Sequence, residues 1–262
     1  MVMRTLLGDA AALSRGEAPA LGAGVPLHPG PEYTSDRRAT GPLPRKVIHF
    51  GALSDHRQTA VLPIELDEEQ SLALLSNARR QGVSTTAVIS AAHLLALTDV
   101  DASGPLSLSL PIDWRGRLNQ VPPDAFGLLV GNAHLAYRLR IGDDHWALAR
   151  RLMGDFRSAL GQAQPIVNRD VAIDPAAVYA SRASTAVSNV GAVEIEDEES
   201  AFRVQSICFA VGCSYFGDQI VTAVRCGGRI TLMYCVTTDS VTVARAQAIA
   251  TKTVEHLNQM MN

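Results

Sequence analysis

The segment LPIELDEEQSLALLSNARRQGVSTTAVISAAHLLAL, residues 62–97, decides how this chain folds. It follows RQTAV, and apolar and polar residues alternate through RQTAVLPIEL in the manner of a strand. Asp67 suits a helix N-cap, the glutamates that follow it suit a first helical turn, and Gly82 suits the position where the helix ends. These signals predict a strand followed directly by a helix.

The second part of this segment predicts a buried helix. Ser84 is a suitable N-cap for VSTTAVISAAHLLALTD, and the residues after it are apolar nearly all round the helix. The apolar positions include Val88, Ala91, Ala92, Leu94 and Leu95. A helix without a polar face is buried on all sides, so we expect it in the interior of the domain.

Strand and helix patterns continue to the end of the sequence. Predicted strands are GPLSLSLPIDW, LLVGNAHLAYRLRI, STAVSNVGAV, FRVQSICFAVG, QIVTAVRCGG and RITLMYCVTTD. Predicted helices are DDHWALARRLMGDFRSALGQ, which an Asp caps, and VTVARAQAIATKTVEHLNQMM. The Gly227-Gly228 pair between the last two strands is a hairpin signal. This order predicts an α/β two-layer sandwich, a mixed sheet covered by helices.

The N-terminal part has a different character. Residues 1–17 place Leu6, Ala10 and Leu13 on one helix face, but no neighbouring segment is evident for that face to pack against. Residues 18–45 are rich in Pro and Gly and predict a linker. The domain organisation we expect is therefore a leading helix, a linker and one domain over residues 46–262.

Composition excludes several classes of function. The 262 residues are 47% hydrophobic and 19% charged, with a net charge of −3, which argues against a nucleic-acid surface. No apolar run approaches the ~18 residues that span a bilayer, and there is no convincing secretory signal. The sequence therefore predicts a cytoplasmic protein without a membrane span. It contains neither GxGxxG nor GxxxxGK[ST] nor GxSxG, so nucleotide-binding loops and a hydrolase elbow are not supported.

The four cysteines predict no metal site. Cys208, Cys213, Cys226 and Cys235 form no C-x-x-C pair, and no histidine lies among them. All four are in apolar, strand-like segments. We expect them to be buried, reduced thiols.

Several strings, in their order along the chain, resemble a known superfamily. These are residues 62–97, SLPIDWRGRL, FGLLVGNAHLAYRL, SNVGAV and RITLMYCVTTDSVT. Together they resemble the second half of condensation-type acyltransferases, which share the fold of chloramphenicol acetyltransferase. The most similar subgroup is the polyketide-associated acyltransferases. The resemblance implies one subdomain of a pseudo-dimeric architecture with a tunnel between its two halves.

The catalytic motif of that superfamily, HHxxxDG, is absent because no two of the seven histidines are adjacent. The string MRTLLGDAAALSRGEAP resembles the helix that follows this motif, so residues 1–17 are interpreted as a remnant of the other subdomain. The resemblance implies transfer of an acyl group from a thioester of CoA or a phosphopantetheine carrier to an alcohol or amine, with no bound cofactor. It also implies a partner: the missing HHxxxDG subdomain, a second copy of the chain, or an acyl carrier protein.

Two other functions remain open. The fold could serve as a non-catalytic module that binds a carrier protein or a hydrophobic ligand. It could also have been adapted to a cyclisation, which needs mainly a shaped apolar cavity and a few hydrogen-bond donors. Fold alone does not distinguish among these functions.

The resemblance also implies residues that line the tunnel, namely Asn132, Ser188, Asn189 and Gly191. The alternatives are a solvated strand residue for Asn132 and an ordinary β-turn for the other three. Asp113 and Arg115 are two residues apart on an extended segment, which favours a structural ion pair or hydrogen bond near the site. His93 and His134 are weak candidates for a catalytic base. A hydrogen-bonded core histidine and a solvated strand residue are the respective alternatives.

Overall fold

The computed structural model of the chain describes residues 59–101, 104–113, 130–162, 185–194, 204–212, 219–238 and 240–262. Its elements are β1 (Thr59–Leu66), α1 (Glu68–Arg80), α2 (Thr85–Asp101), β2 (Leu106–Asp113), β3 (Val130–Tyr137), α3 (His145–Gln162), β4 (Thr185–Val193), β5 (Gln219–Cys226), β6 (Arg229–Thr237) and α4 (Val243–Met261). The predicted leading helix and linker lie outside the described residues, as do Arg115 and Cys213.

The six strands form one mixed sheet in the order β1-β6-β5-β4-β2-β3. Strand β4 runs parallel to both β2 and β5, and the other neighbouring pairs are antiparallel. Gly227 and Gly228 join β5 to β6 with φ values of 57° and 85°, which only glycine adopts readily. The predicted mixed α/β sheet and its C-terminal hairpin are confirmed.

The main hydrophobic core lies between the sheet and the four helices on one of its faces. Alternate residues of the strands point into it, including Leu66, Leu108, Leu110, Leu232 and Tyr234. Helix α2 runs through this core, and each of its residues from 87 to 98 is buried, as its uniform apolar character predicts. Within the described residues, no single helix is long and apolar enough to cross a membrane; α1 and α2 meet that test only together, across a bend of 103°.

Local signals set the ends of the first two helices. Asp67 and Gln70 form a reciprocal capping box at the start of α1, and Gly82 has a φ of 67° just after its end. At the start of α2, the Ser84 hydroxyl accepts a hydrogen bond from the Ala87 N–H at 3.2 Å. These contacts determine where α1 begins and ends and where α2 begins.

One strand prediction was wrong. Residues 204–212 belong to no strand, although their burial alternates as in extended chain. Val211 packs on Ile220 and Cys235 of the face opposite the helices, and the Thr222 hydroxyl donates to the Phe209 carbonyl. Because β5 is already paired with β4 and β6, this segment lies against the sheet without extending it.

The cysteine prediction needs a correction for the same reason. Cys208 lies in the segment 204–212 and is exposed, because an extended segment on a sheet turns every second side chain away from it. Cys226 and Cys235 are buried free thiols, as expected. Burial raises the pKa of both thiols, so they stay protonated at neutral pH.

Candidate functional site

Two cavities flank the N-terminal half of α2. The α1 cavity, about 330 Å³, is lined by Leu75, Ala78, Arg79, Val83, Ser84, Thr85, Ile89, Asn189, Gly191, Ala192, Val224, Arg225 and Ile230. The α3 cavity, about 350 Å³, is lined by Ser84, Thr86, Ala87, Ser90, Leu110, Pro111, Ile112, Asp113, Leu152, Met153, Phe156, Leu160, Val187 and Asn189. Ser84 and Asn189 line both cavities, so these residues lie between the two spaces.

Asn189 is held rigidly where the cavities meet. Its Nδ2 donates to the Thr86 hydroxyl of α2 at 3.1 Å, and its Oδ1 accepts from the Gly191 N–H at 2.9 Å. The second contact is a local turn, which a φ of 80° at Gly191 and a register shift between Asn189 and Ala192 make possible. An amide nitrogen carries two N–H groups, and the described residues provide a partner for one of them. The other can donate to a bound ligand.

The α1 cavity has a cationic wall. Arg79, at the end of α1, and Arg225, on β5, both line it, and neither has a carboxylate partner among the residues that the structure describes. Two guanidinium groups beside one cavity favour an anionic ligand, because arginine presents several N–H donors in a fixed plane. A phosphorylated ligand therefore suits this side.

The α3 cavity is apolar over most of its wall. Leu110, Ile112, Leu152, Phe156 and Val187 are among the side chains that form it. Such walls bind hydrocarbon by removing apolar surface from water. Its polar groups are concentrated on the α2 side, where Ser84 is exposed, Thr86 is half-buried and Ser90 is fully buried.

The structure separates the four predicted tunnel residues. Asn189 and Gly191 line the α1 cavity together. Ser188 and Asn132 alternate with core-facing neighbours and lie on the sheet face opposite the helices, both half-buried. There the Ser109 hydroxyl donates to the Asn132 Oδ1 at 3.4 Å. The two pairs therefore contribute to different faces of the sheet.

Of the predicted structural pair, Asp113 ends β2, is exposed, and lines the α3 cavity. Its predicted partner Arg115 lies outside the described residues, so the ion pair stays a prediction. The position of Asp113 places one negative charge at the side of the mostly apolar α3 cavity.

His93 is completely buried in the core rather than beside a cavity. Its Nε2 is 2.7 Å from the Thr185 hydroxyl, and its ring packs edge-on against Tyr234. Burial lowers its pKa to about 3, so the ring is neutral at pH 7. A base with so low a pKa binds a proton poorly at neutral pH, which favours a structural role for His93.

The second histidine candidate, His134, is exposed on β3, on the face opposite the helices. A histidine group that sequence analysis missed lies elsewhere: His145 Nε2 is 2.8 Å from His256 Nδ1, and His256 Nε2 is 3.1 Å from an Asp99 carboxylate oxygen. Burial and the neighbouring His256 lower the pKa of His145. This chain of groups joins α2, α3 and α4 through residues up to 157 positions apart, so no local motif marks it.

Sequence analysis also missed the side chains that give the cavities their character. Arg79, Arg225, Thr86 and Ser90 belong to no motif. One signal was available: Thr86 and Ser90 are hydroxyl residues four apart in a helix that is otherwise apolar all round, and residues four apart share a helix face.

Comparison with known families identifies the chain. The sequence profile described as the C-terminus of phthiocerol/phthiodiolone dimycocerosyl transferase matches residues 55–206, more than half of the sequence. The chain belongs to this family. No curated protein matches its sequence significantly.

Several solved structures share the fold of this member of the dimycocerosyl transferase C-terminal family. A trichothecene 15-O-acetyltransferase from Fusarium sporotrichioides is 16% identical with a TM-score of 0.62, over 78% of this chain and 48% of its own. Polyketide synthase associated protein 5 from Mycobacterium tuberculosis is 15% identical with a TM-score of 0.54, over 80% and 53%. The epimerization domain of tyrocidine synthetase B is 13% identical with a TM-score of 0.57, over 80% and 50%. The chain thus spans about half the length of these structures, and the expected superfamily and fold are confirmed.

Proposed function

We propose that this chain is the second half of a condensation-type acyltransferase. It would move an acyl group from a thioester, on CoA or a phosphopantetheine carrier, to an alcohol or amine. Family membership and the shared fold support this activity, and the half-length match supports a requirement for a further subdomain that carries HHxxxDG. A separate polypeptide could supply that subdomain, whereas a second copy of this chain could complete the tunnel but not the motif.

The observation that carries the proposal is the position of Asn189 between two cavities of opposite character. A thioester has the same division, since a phosphorylated arm lies on one side of its carbonyl and a hydrocarbon chain on the other. The α1 cavity suits the pantetheine arm, with Arg79 and Arg225 placed to meet the phosphate at its outer end, and the α3 cavity suits the acyl chain. The available N–H of Asn189 would then donate to the thioester carbonyl between them.

The reaction needs a proton acceptor and charge stabilisation. The oxygen or nitrogen of the acceptor alcohol or amine would attack the carbonyl carbon. A histidine of the HHxxxDG half, with a pKa near 7, would take the acceptor's proton in the same step. The C–S bond then breaks, and the thiolate leaves with the proton that the histidine returns. Asn189 would stabilise the oxyanion that forms between these two steps, which is the contribution of this chain.

The test is turnover by the protein as purified from its source cells, with its length and any bound partner determined by intact mass. Acyl-CoA and a panel of alcohols and amines are supplied, and release of free thiol and formation of the acylated product are measured. The Asn189→Ala variant should lower kcat about 100- to 1,000-fold, because loss of one oxyanion donor has an effect of this order. Asn258→Ala, which removes an exposed amide on α4, is the matched control and should leave turnover unchanged.

A binding module is the second candidate, because no histidine is among the described residues that line either cavity. It predicts that acyl-CoA binds and that Asn189→Ala weakens this binding, with no product formed by any preparation. Product formation that survives Asn189→Ala at the full rate would contradict the role of Asn189 in acyl transfer.

A further inference from the structure

The Ser90 hydroxyl is oriented differently from other helical hydroxyls of this protein. Thr98 donates to the Leu94 carbonyl, Thr253 to the Ile249 carbonyl and Ser158 to the Gly154 carbonyl, each four residues back. Ser90 makes no such bond, and its Oγ has no partner among the described residues although the side chain is completely buried. Among the described residues that line the α3 cavity, Ser90 is the one whose side-chain polar atom is buried without a partner.

A buried hydroxyl without a partner is unfavourable, since it has lost its water and gained nothing in return. Alanine at this position would fill the same place in an apolar helix without that penalty. A ligand oxygen inside the cavity removes the penalty by pairing with the hydroxyl. Ser90 therefore indicates a ligand that is mostly hydrocarbon but carries an oxygen at this depth.

The spacing of Thr86 and Ser90 along α2 indicates how far that oxygen lies from the thioester carbonyl. Ser90 lies one turn further into the core than Thr86, which places their Cβ atoms about 5–6 Å apart. Thr86 is the residue that holds Asn189. A carbonyl that accepts from Asn189 thus has Ser90 within reach of an atom a few bonds further along the chain.

The volume limits the size of the group. A 150 Å³ apolar cavity holds benzene, so about 350 Å³ accommodates roughly a dozen non-hydrogen atoms. This size suits a medium-length chain rather than an acetyl group. Leu152, Phe156 and Val187 form apolar walls, and Ser90 is the fully buried polar residue among the described lining.

We infer that the α3 cavity selects a medium-length acyl group with a hydroxyl or keto oxygen near its thioester end, and that the Ser90 hydroxyl bonds this oxygen. The inference rests on the proposed function, because it takes the ligand to be the acyl chain of the thioester. Ser90 acts as a specificity-determining residue that contacts the substrate away from the reacting carbonyl.

The test measures binding of three thioesters to the full 262-residue chain by calorimetry: decanoyl-, 3-hydroxydecanoyl- and 3-oxodecanoyl-pantetheine. We expect at least one oxygenated chain to bind about 3- to 10-fold more tightly than the plain chain, which is the contribution of one neutral hydrogen bond. Ser90→Ala should abolish this preference while plain-chain affinity is kept. Thr98→Ala, which removes a buried helical hydroxyl bonded to its own helix, is the control and should retain the preference.

Two further readouts keep the result unambiguous. Methyl NMR of Met153, which lines the α3 cavity, should shift on binding, whereas the Met260 methyl in the core beside α1 should not. Thermal unfolding should show that Ser90→Ala is at least as stable as the original chain, because it loses an unpaired hydroxyl. The inference is overturned if plain and oxygenated chains bind with equal affinity, or if the preference persists in Ser90→Ala. It is also overturned if the Met153 methyl resonance does not shift on binding.

The inference and the proposed function fail separately. Acyl transfer that depends on Asn189 but ignores both the chain oxygen and Ser90 would overturn only the inference. Selective, Ser90-dependent binding without turnover by any preparation would support the cavity assignment and contradict the acyltransferase proposal.

Discussion

The two ends of α2 are built differently, although both lie inside the same core. Its N-terminal half, from Ser84 to Ser90, borders two cavities. Its C-terminal half is closely packed: His93 bonds Thr185, Asp99 bonds His256, and Asp101 pairs with Arg245 of α4. One helix thus combines an end that leaves room for a ligand with an end anchored to its neighbours.

The difference between the two halves of α2 indicates which residues determine stability and which determine ligand binding. Packed side chains and hydrogen bonds to neighbouring elements stabilise the C-terminal half, so changes there should lower the free energy of unfolding. Around the N-terminal half, the side chains that form the cavity walls have no packing partners on the side that faces the cavity. Changes there should alter ligand affinity more than stability.

The largest effect should come from truncating the packed end. Leu94→Ala should lower the free energy of unfolding by about 4 kcal/mol, because the fully buried side chain is replaced by a new void. Leu152→Ala, also buried but facing the α3 cavity, should lower it by only about 2 kcal/mol. Urea denaturation of both variants measures the contrast, and equal losses would remove the distinction between the two ends.

A smaller effect is expected from acid. His93 is neutral in the folded chain with a pKa of about 3, whereas the unfolded chain protonates it below its usual pKa of 6.5. The contribution of neutral His93 to the free energy of unfolding is therefore complete above pH 6.5 and is lost as the pH falls from 6.5 towards 3. At pH 4 the loss should be about 3 kcal/mol. The lowered pKa of His145 acts in the same direction.

Unfolding midpoints at pH 7 and pH 4 test this dependence. His93→Gln should be less stable at pH 7 yet lose much less stability on acidification. The exposed His134→Gln should keep the full pH dependence. If the free energy of unfolding of His93→Gln fell with pH as steeply as that of the original chain, groups other than His93 would be responsible for the destabilisation by acid.

The smallest effect concerns the cavity end. Replacing Arg79 and Arg225 together by Gln should weaken CoA thioester binding about 3- to 10-fold at low salt, because exposed or half-buried charges contribute modestly and are screened. Binding of the corresponding pantetheine thioester, which has no phosphate, should stay the same. Arg157→Gln on the exposed face of α3 is the control. Equal losses for both thioesters would contradict a phosphate-binding role.

Local signals were sufficient for most of the fold. Asp67, Gly82 and Ser84 mark helix ends through contacts within a few residues, and the glycine pair at 227–228 determines a tight hairpin. The segment 204–212 shows the limit of such signals. Alternation indicates extended backbone but not whether a strand partner is available, and β5 has both of its edges occupied.

The site was less predictable because its contacts are distant in sequence. Asn189 was predicted from a short string resembling a family turn, yet its partner Thr86 is 103 residues away. The placement of β4 between β2 and β5 creates this contact, and the order of strands in a sheet is not written in any one segment. Asn132 shows the converse, since its string matches the family but its side chain lies on the other face of the sheet.

The pairing of β1 with β6 has a consequence for synthesis. Residues 59–66 pair with residues 230–237, and β1 is an edge strand with no other partner in the described sheet. At about 5–20 residues per second, the ribosome needs on the order of 10–30 s to make the intervening chain. Throughout that time the backbone N–H and C=O groups of β1 lack their β6 partners, so nascent chains of this protein expose an edge with which another strand can pair.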